Sequence, residues 1–184
     1  MSTARRPDVT TVELVGGAEP LRVGLQPYDD GWPARYEEHR RRILGALTGV
    51  EVEHIGSTSV PGLAAKPIID IVLAVADITA EEDYLDALLA AGYELRVREP
   101  GHRLVRTPAR DVHVHVYERG AREIDDYLLL RDRLRADPEE RTLYESTKTT
   151  LLERAWDDMN AYADAKTAVV LAIRERARAA RDAR

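Results

Sequence analysis

Apolar positions follow two periods along this chain, and the changes of period mark out its elements. The stretch Val23–Pro33 reads as a strand entering a turn, with Asp30 or Gly31 ahead of a helix and Pro33 in its first turn. That helix carries Trp32, Tyr36, Ile43, Leu44 and Leu47 on one stripe and stops before Gly49. Short apolar runs at Val52–Ile55 and Ile68–Val75 read as strands. Helical spacing returns over 80–91, with Tyr84, Leu85, Leu88 and Leu89 as the stripe and Gly92 as the C-cap. Three further strands are expected at Tyr93–Val97, His102–Arg106 and Val112–Tyr117. The last alternates cleanly, placing Asp111, His113, His115 and Tyr117 on one face and Val112, Val114 and Val116 on the other.

From residue 121 the pattern is helical throughout. It predicts helices at about 121–135, 139–155 and 157–180, separated at Asp137-Pro138 and Asp157-Asp158. Their apolar spacing runs through Leu143, Thr147, Leu151, Trp156, Tyr162, Val169 and Ile173. The sum is an α+β protein, a mixed sheet flanked by helices and followed by a C-terminal helical extension. The expected division is a loosely ordered arm at 1–19 with a short strand near Thr11–Val15, an α/β core at 20–118, and helices at 119–184 packed on that core.

Composition narrows the functional classes. With 184 residues the chain can bury a substantial core, and the absence of cysteine leaves His, Asp and Glu as the strong metal ligands. The net charge is −6, with 19 acidic and 13 basic residues in 1–118 and 14 of each in 119–184. No basic stripe of the kind a general nucleic-acid binder needs is present. No apolar run reaches the ~18 residues of a membrane span, and MSTARRPDV lacks an apolar signal core, so a cytoplasmic protein is expected. Of the 27 basic residues only Lys66, Lys148 and Lys166 are lysines. Two of these end a Tyr-x-x-x-Lys pattern (Tyr144–Lys148, Tyr162–Lys166), which stacks both side chains on one helix face.

The chemistry concentrates in EHIGSTSVPGLAAKPIIDIVLA, residues 53–74. Gly56, Ser57, Thr58 and Ser59 stand at a strand end before a helical turn, where backbone N–H groups and hydroxyls can cradle an anion. Lys66 can add a point charge, with Lys148 and Lys166 as further phosphate ligands. The Gly56–Lys66 spacing does not fit a P-loop, and a tight turn with a serine cap is the alternative reading. Asp70 places a carboxylate inside an apolar strand, where charge is normally excluded, which marks a site. Its same-face neighbour is Val72. His113 and His115 share a strand face and can grip one ion with Asp70, with Asp111 or Glu118 extending the set. His54, just ahead of Gly56, would join if the strands lie side by side. Arg131, Arg133 and Arg135 read as packing or solvated residues in preference to a nucleotide groove.

The motif HIGSTSVPGLAAKPIIDI, His54–Ile71, resembles the signature of the GrpB-like family, assigned to the nucleotidyltransferase (polymerase-β-like) fold superfamily. Pro27-Tyr28-Asp29, Trp32-Pro33, Tyr36, His113-Val114-His115-Val116 and the two Tyr-x-x-x-Lys pairs support it, and the similarity covers roughly residues 21–176. The resemblance implies a nucleotidyltransferase-like sheet, with a Gly-Ser turn, a strand bearing two acids around one apolar residue, and a third acid on a later strand. Here Gly56-Ser57 and Asp70 fit, Val72 replaces the second acid, and His113 and His115 stand on the third strand. Family relatives fused to a dephospho-CoA kinase domain imply a nucleotide or coenzyme A context.

The expected function is phosphoryl or nucleotidyl transfer on a nucleotide or phosphorylated small molecule. Ser57, Asp70 and His115 are the expected catalytic residues. A divalent ion would be held by Asp70, His113 and His115, with Mg or Mn first and Zn or another transition metal second. The alternatives are a binding module that keeps the fold without catalysis and a His/Asp transition-metal hydrolase. The reading includes no membrane partner and allows a homodimer.

Overall fold

A computed structural model describes residues 6–17, 24–153 and 159–183. The strands are β1 (Glu13–Leu14), β2 (Glu51–Ile55), β3 (Ile69–Val75), β4 (Glu94–Glu99), β5 (His102–Arg106) and β6 (Val112–Glu118). The helices are α1 (Trp32–Ala46), α2 (Leu85–Ala90), α3 (Arg122–Ala136), α4 (Pro138–Leu152) and α5 (Met159–Asp182). The strands form one sheet in the order β1-β4-β5-β6-β3-β2, antiparallel except for the interior β3–β6 pair. The fold is α+β, a six-stranded mixed sheet with C-terminal helices.

Each face of the sheet follows from the period-two pattern of its strands. Ile69, Ile71, Leu73 and Val75 of β3 join Val112, Val114 and Val116 of β6 in the main core, together with Trp32, Ile43 and Leu88 from α1 and α2. The alternate residues face the other way. There Val72, Ile55 and Tyr117 pack under Ile124, Tyr127 and Leu128 of α3. A third cluster joins Val60 and Leu63, in the loop after β2, to Leu134 of α3, Tyr144 of α4 and Ile173 of α5. The C-terminal helices therefore roof the second face, leaving Asp70, His113 and His115 between sheet and helices.

Several expectations need revision. The single helix foreseen over 80–91 is a 3₁₀ turn at Glu81–Asp83 followed by α2, because Tyr84 leaves the helical region at φ −140°. Its buried hydroxyl donates to the Ile78 carbonyl at 2.7 Å, a partner that an uninterrupted stripe would not supply. Leu44 and Leu89, assigned to apolar stripes, are 38% and 41% exposed. The strand expected near Thr11–Val15 shortens to β1 and pairs with β4 at Arg98 and Val97. Gln26 makes an isolated bridge to Ala65 where a strand was read from Val23, which lies outside the described residues, as do Trp156, Asp157, Asp158 and the side chain of Tyr162.

Candidate functional site

The parallel pairing of β3 and β6 creates the site. Asp70 stands beside His113, and Val72 beside His115, so the Asp70 side chain meets both imidazoles on one face. Asp70 Oδ1 lies 3.7 Å from His113 Nδ1 and 3.6 Å from His115 Nε2. One ligand atom from each of the three residues lies within 4.8 Å of the others, an arrangement that can hold a metal ion. The distances are too long for hydrogen bonds. They fit two ligands of one ion, which at bonds of about 2.0–2.2 Å stand on the order of 3–3.6 Å apart. Burial alone would raise the Asp70 carboxyl. When protonated, the His115 and His113 rings, with Lys166, outweigh it and hold the group below the usual carboxylate range.

Gly56 carries the chain over this carboxylate. Its φ of 71° with ψ −176° belongs to glycine, and a Cβ there would stand 2.7 Å from Asp70 Oδ2. The 3₁₀ turn Ser57–Ser59 follows. Thr58 Oγ1 donates to the Ile68 carbonyl at 3.2 Å, and Ser59 Oγ to the Gly56 carbonyl at 2.5 Å, so both hydroxyls brace the loop. Ser57 Oγ accepts from Lys148 Nζ at 3.1 Å. From the outside, Arg131 donates to the His54 carbonyl and Arg135 to the Ser59 carbonyl, at 3.0 and 2.8 Å. Those arginines, with Arg133 paired to Asp137 at 2.9 Å, clamp loop and helices together.

A cavity of about 400 Å³ brings Ser57, Thr58, Lys66, Asp70, His113, His115, Lys148 and Lys166 to one wall system. All three lysines of the chain line it. Lys148 is 3% exposed, bonds the Ala64 carbonyl at 2.8 Å and lies 4.8 Å from the Tyr144 ring centroid. Burial first, then Lys166 and Lys66, push its ammonium down to about 8 against the pull of Glu145. Lys66 is lowered by burial and by Lys166, with Asp70 opposing. Three cations around one carboxylate, in a chain of net charge −6, leave a pocket whose repulsion an anion would relieve. A second cavity of about 390 Å³ shares Ser57, Asp70, His115 and Lys166 and extends between Tyr127, Leu130, Leu134, Tyr144, Val170 and Arg174. The site thus has a lysine lobe and a second lobe walled by α3, α4 and α5, meeting at Asp70.

His54 does not join. Antiparallel register opposes Ile55 to Asp70 and His54 to Ile71, so His54 points to the other face. It stacks on Tyr36 at 4.6 Å, and Nε2–H donates to Thr58 Oγ1 at 3.1 Å. Asp111 accepts from Thr107 Oγ1 at 2.6 Å and Glu118 from the Ile78 N–H at 3.4 Å, so neither extends the metal group. Val72 is 2% exposed among apolar neighbours, which explains why no second acid stands there.

Sequence reasoning missed His102. Its Nδ1–H donates to Glu99 Oε1 at 2.5 Å, and its Nε2 meets His115 Nδ1 at 3.2 Å. Burial lowers its basicity first, His115 next, with Glu99 opposing. The five-residue turn between β5 and β6 sets His102 opposite Tyr117, a diagonal neighbour of His115. That hairpin register was the signal available.

Burial, with Arg135 next, holds His54 down to about 4. An unfolded histidine titrates near 6.5, so between those values the unfolded chain binds more protons and stability falls as the pH drops. Urea unfolding at pH 7 and 4.5 should therefore show a loss of about 2 kcal/mol from this group, and His54→Gln should lack that increment. Equal slopes in the two proteins would contradict the assignment.

The family model of the GrpB protein matches residues 22–176. A UPF0157 protein of Streptomyces coelicolor is 71% identical over 181 residues, spanning 98% of this chain and 97% of its own. A dephospho-CoA kinase of Mycolicibacterium paratuberculosis is 30% identical over 175 residues, 78% of this chain and 43% of that protein. Among solved structures, a GrpB protein of Enterococcus faecalis superposes with a TM-score of 0.72 at 33% identity, covering 83% of this chain and 96% of that one. The GLD-2/RNP-8 complex gives a TM-score of 0.53 at 16% identity, covering 79% and 58%. At that identity the likeness concerns the fold alone, that of a nucleotidyltransferase domain. Among the described residues, no helix is long and apolar enough to cross a membrane.

Proposed function

The chain belongs to the GrpB family, and from that premise we propose that its cleft binds a nucleotide or related phosphorylated small molecule and transfers a phosphoryl or nucleotidyl group. The observation carrying this reading is that Ser57, all three lysines and the Asp70–His113–His115 group open on one cavity. Lys66, Lys148 and Lys166 would take up the charge of phosphate oxygens, and Ser57, already bonded to Lys148, would position one of them. A divalent ion on Asp70, His113 and His115 would supply further positive charge where the group in transit accumulates negative charge. The second lobe, where Tyr127, Leu130, Leu134, Tyr144 and Val170 supply apolar and aromatic surface, would hold the organic part of the ligand. The nucleotidyltransferase-like fold and the kinase name of one relative favour a nucleotide or coenzyme precursor as the guest.

Val72 supports a second reading, a binding module without turnover, since the strand lacks the paired acid that two-metal transfer typically needs. One set of measurements separates the two. Thermal melts with Mn²⁺ and nucleoside triphosphates, dephospho-coenzyme A or phosphosugars are expected to rise by mass action for the ligand that binds. Product formed above the background of Ser57→Ala would establish transfer. A raised melting temperature with no product over long incubation would establish the binding module, and no shift with any phosphorylated compound would overturn both. Lys148→Met is expected to weaken binding of the phosphorylated ligand about tenfold or more, the loss of a charge-assisted hydrogen bond. Unchanged affinity would remove Lys148 from the proposed contact set.

A further inference from the structure

Glu99, His102, His115 and Asp70 form an unbroken file across β4, β5, β6 and β3. The Glu99 carboxylate accepts the Nδ1–H of His102 at 2.5 Å. A neutral His102 then presents a lone pair at Nε2, which takes the Nδ1–H of His115 at 3.2 Å. His115 is left with a lone pair at Nε2, facing Asp70 Oδ1 at 3.6 Å. Two electron-pair donors oppose each other there, and His113 Nδ1 lies 3.7 Å from the same oxygen. Such a group is satisfied by a cation placed among them. The His102 ring is fixed between its neighbours, stacked on Tyr117 at 4.6 Å and on His115 at 5.3 Å between centroids.

We propose that Glu99 and His102 are positioning residues that hold His115 in the tautomer ligating through Nε2, and that the centre they prepare selects a first-row transition-metal ion over Mg²⁺. The inference rests on Asp70, His113 and His115 being ligands, as the proposed function has them. Two of three donors are imidazoles, which suit Zn²⁺, Fe²⁺, Ni²⁺ or Co²⁺, whereas Mg²⁺ demands oxygen ligands and keeps its waters. Outer partners of ligating histidines fix ring orientation and raise ligand basicity, and their loss typically costs 10–100-fold in metal affinity.

Co²⁺ titration of the full chain, followed by visible absorption, tests this. The wild type is expected to bind one Co²⁺ that a hundredfold excess of Mg²⁺ does not displace. His102→Phe keeps the stacked ring and removes the acceptor, and should bind Co²⁺ about 10–100-fold more weakly. His102→Gln, whose amide oxygen can still accept from His115 Nδ1–H, should recover most of that loss. In proton NMR of the Co²⁺-loaded wild type, an exchangeable hyperfine-shifted signal from His115 Nδ1–H should persist, and in His102→Phe it should broaden by exchange with water. Glu99→Gln, at a half-exposed strand end, carries the same test with a smaller expected loss if the buried Phe variant does not fold. Equal Co²⁺ affinity in the wild type and the folded variants overturns the positioning role while leaving the ligands in place. Displacement by Mg²⁺ overturns the metal class, and no Co²⁺ uptake by the wild type overturns the ligand assignment itself.

Discussion

Asp70→Asn should lower Mn²⁺ affinity by at least about a hundredfold, more than the loss of an outer partner costs, and with it the metal-dependent binding of nucleotides. The carboxylate is the element that links the two imidazoles to the lysine lobe. His113 and His115 each approach the same oxygen, and Ser57 and Lys166 line both lobes beside it. The amide keeps the volume, so the fold should persist, while the anionic donor disappears. Isothermal titration with Mn²⁺, then with nucleotide at saturating Mn²⁺, measures both effects, and circular dichroism checks the fold. Retained Mn²⁺ affinity in this variant would mean that the ion sits elsewhere.

Gly56→Ala is expected to produce the second large effect, on stability and binding together. The backbone there lies in a region essentially restricted to glycine, at a cost on the order of 1–3 kcal/mol for another residue. The new Cβ also meets Asp70 Oδ2 at 2.7 Å and Asp70 Cβ at 3.0 Å, and the latter belongs to a strand that cannot yield. A domain of this size loses roughly 2–4 °C per kcal/mol, so a fall of about 4–10 °C in melting temperature should be measured. Metal affinity should drop as well, because relief of the clash moves the Asp70 carboxylate. Gly62→Ala offers the comparison. It has positive φ and nothing within 4 Å of the added Cβ, and should lose stability but keep the metal site. If Gly56→Ala melts no lower than Gly62→Ala, the close approach contributes nothing.

How much of the site was legible depended on distance along the chain. The Gly-Ser turn, the acid inside an apolar strand and the two histidines on the polar face of β6 are local patterns, and each residue lies where its period places it. The rarity of lysine was readable too, and all three lysines meet in one cavity although they come from a loop, α4 and α5. His102 and Glu99 were not recognised, since neither belongs to a motif and their role appears only when β4, β5 and β6 lie side by side. His54 failed the opposite way. It neighbours the Gly56 loop in sequence, yet strand alternation turns it to the far face. Tyr84 interrupts its helix at φ −140°, and its buried hydroxyl donates to the Ile78 carbonyl, a contact that no periodicity records.

The sequence by itself determined the alternation of elements, the turn chemistry at Gly56–Ser59, and which side chains each strand offers to either face. These depend on torsional preference and on neighbours a few residues away. Only the tertiary structure decided that β3 lies parallel beside β6, that Val72 is sealed beneath α3, and that the two lobes share one carboxylate. Those outcomes follow from competition among distant apolar surfaces for a common core, and the energy of that competition belongs to no single stretch of the chain.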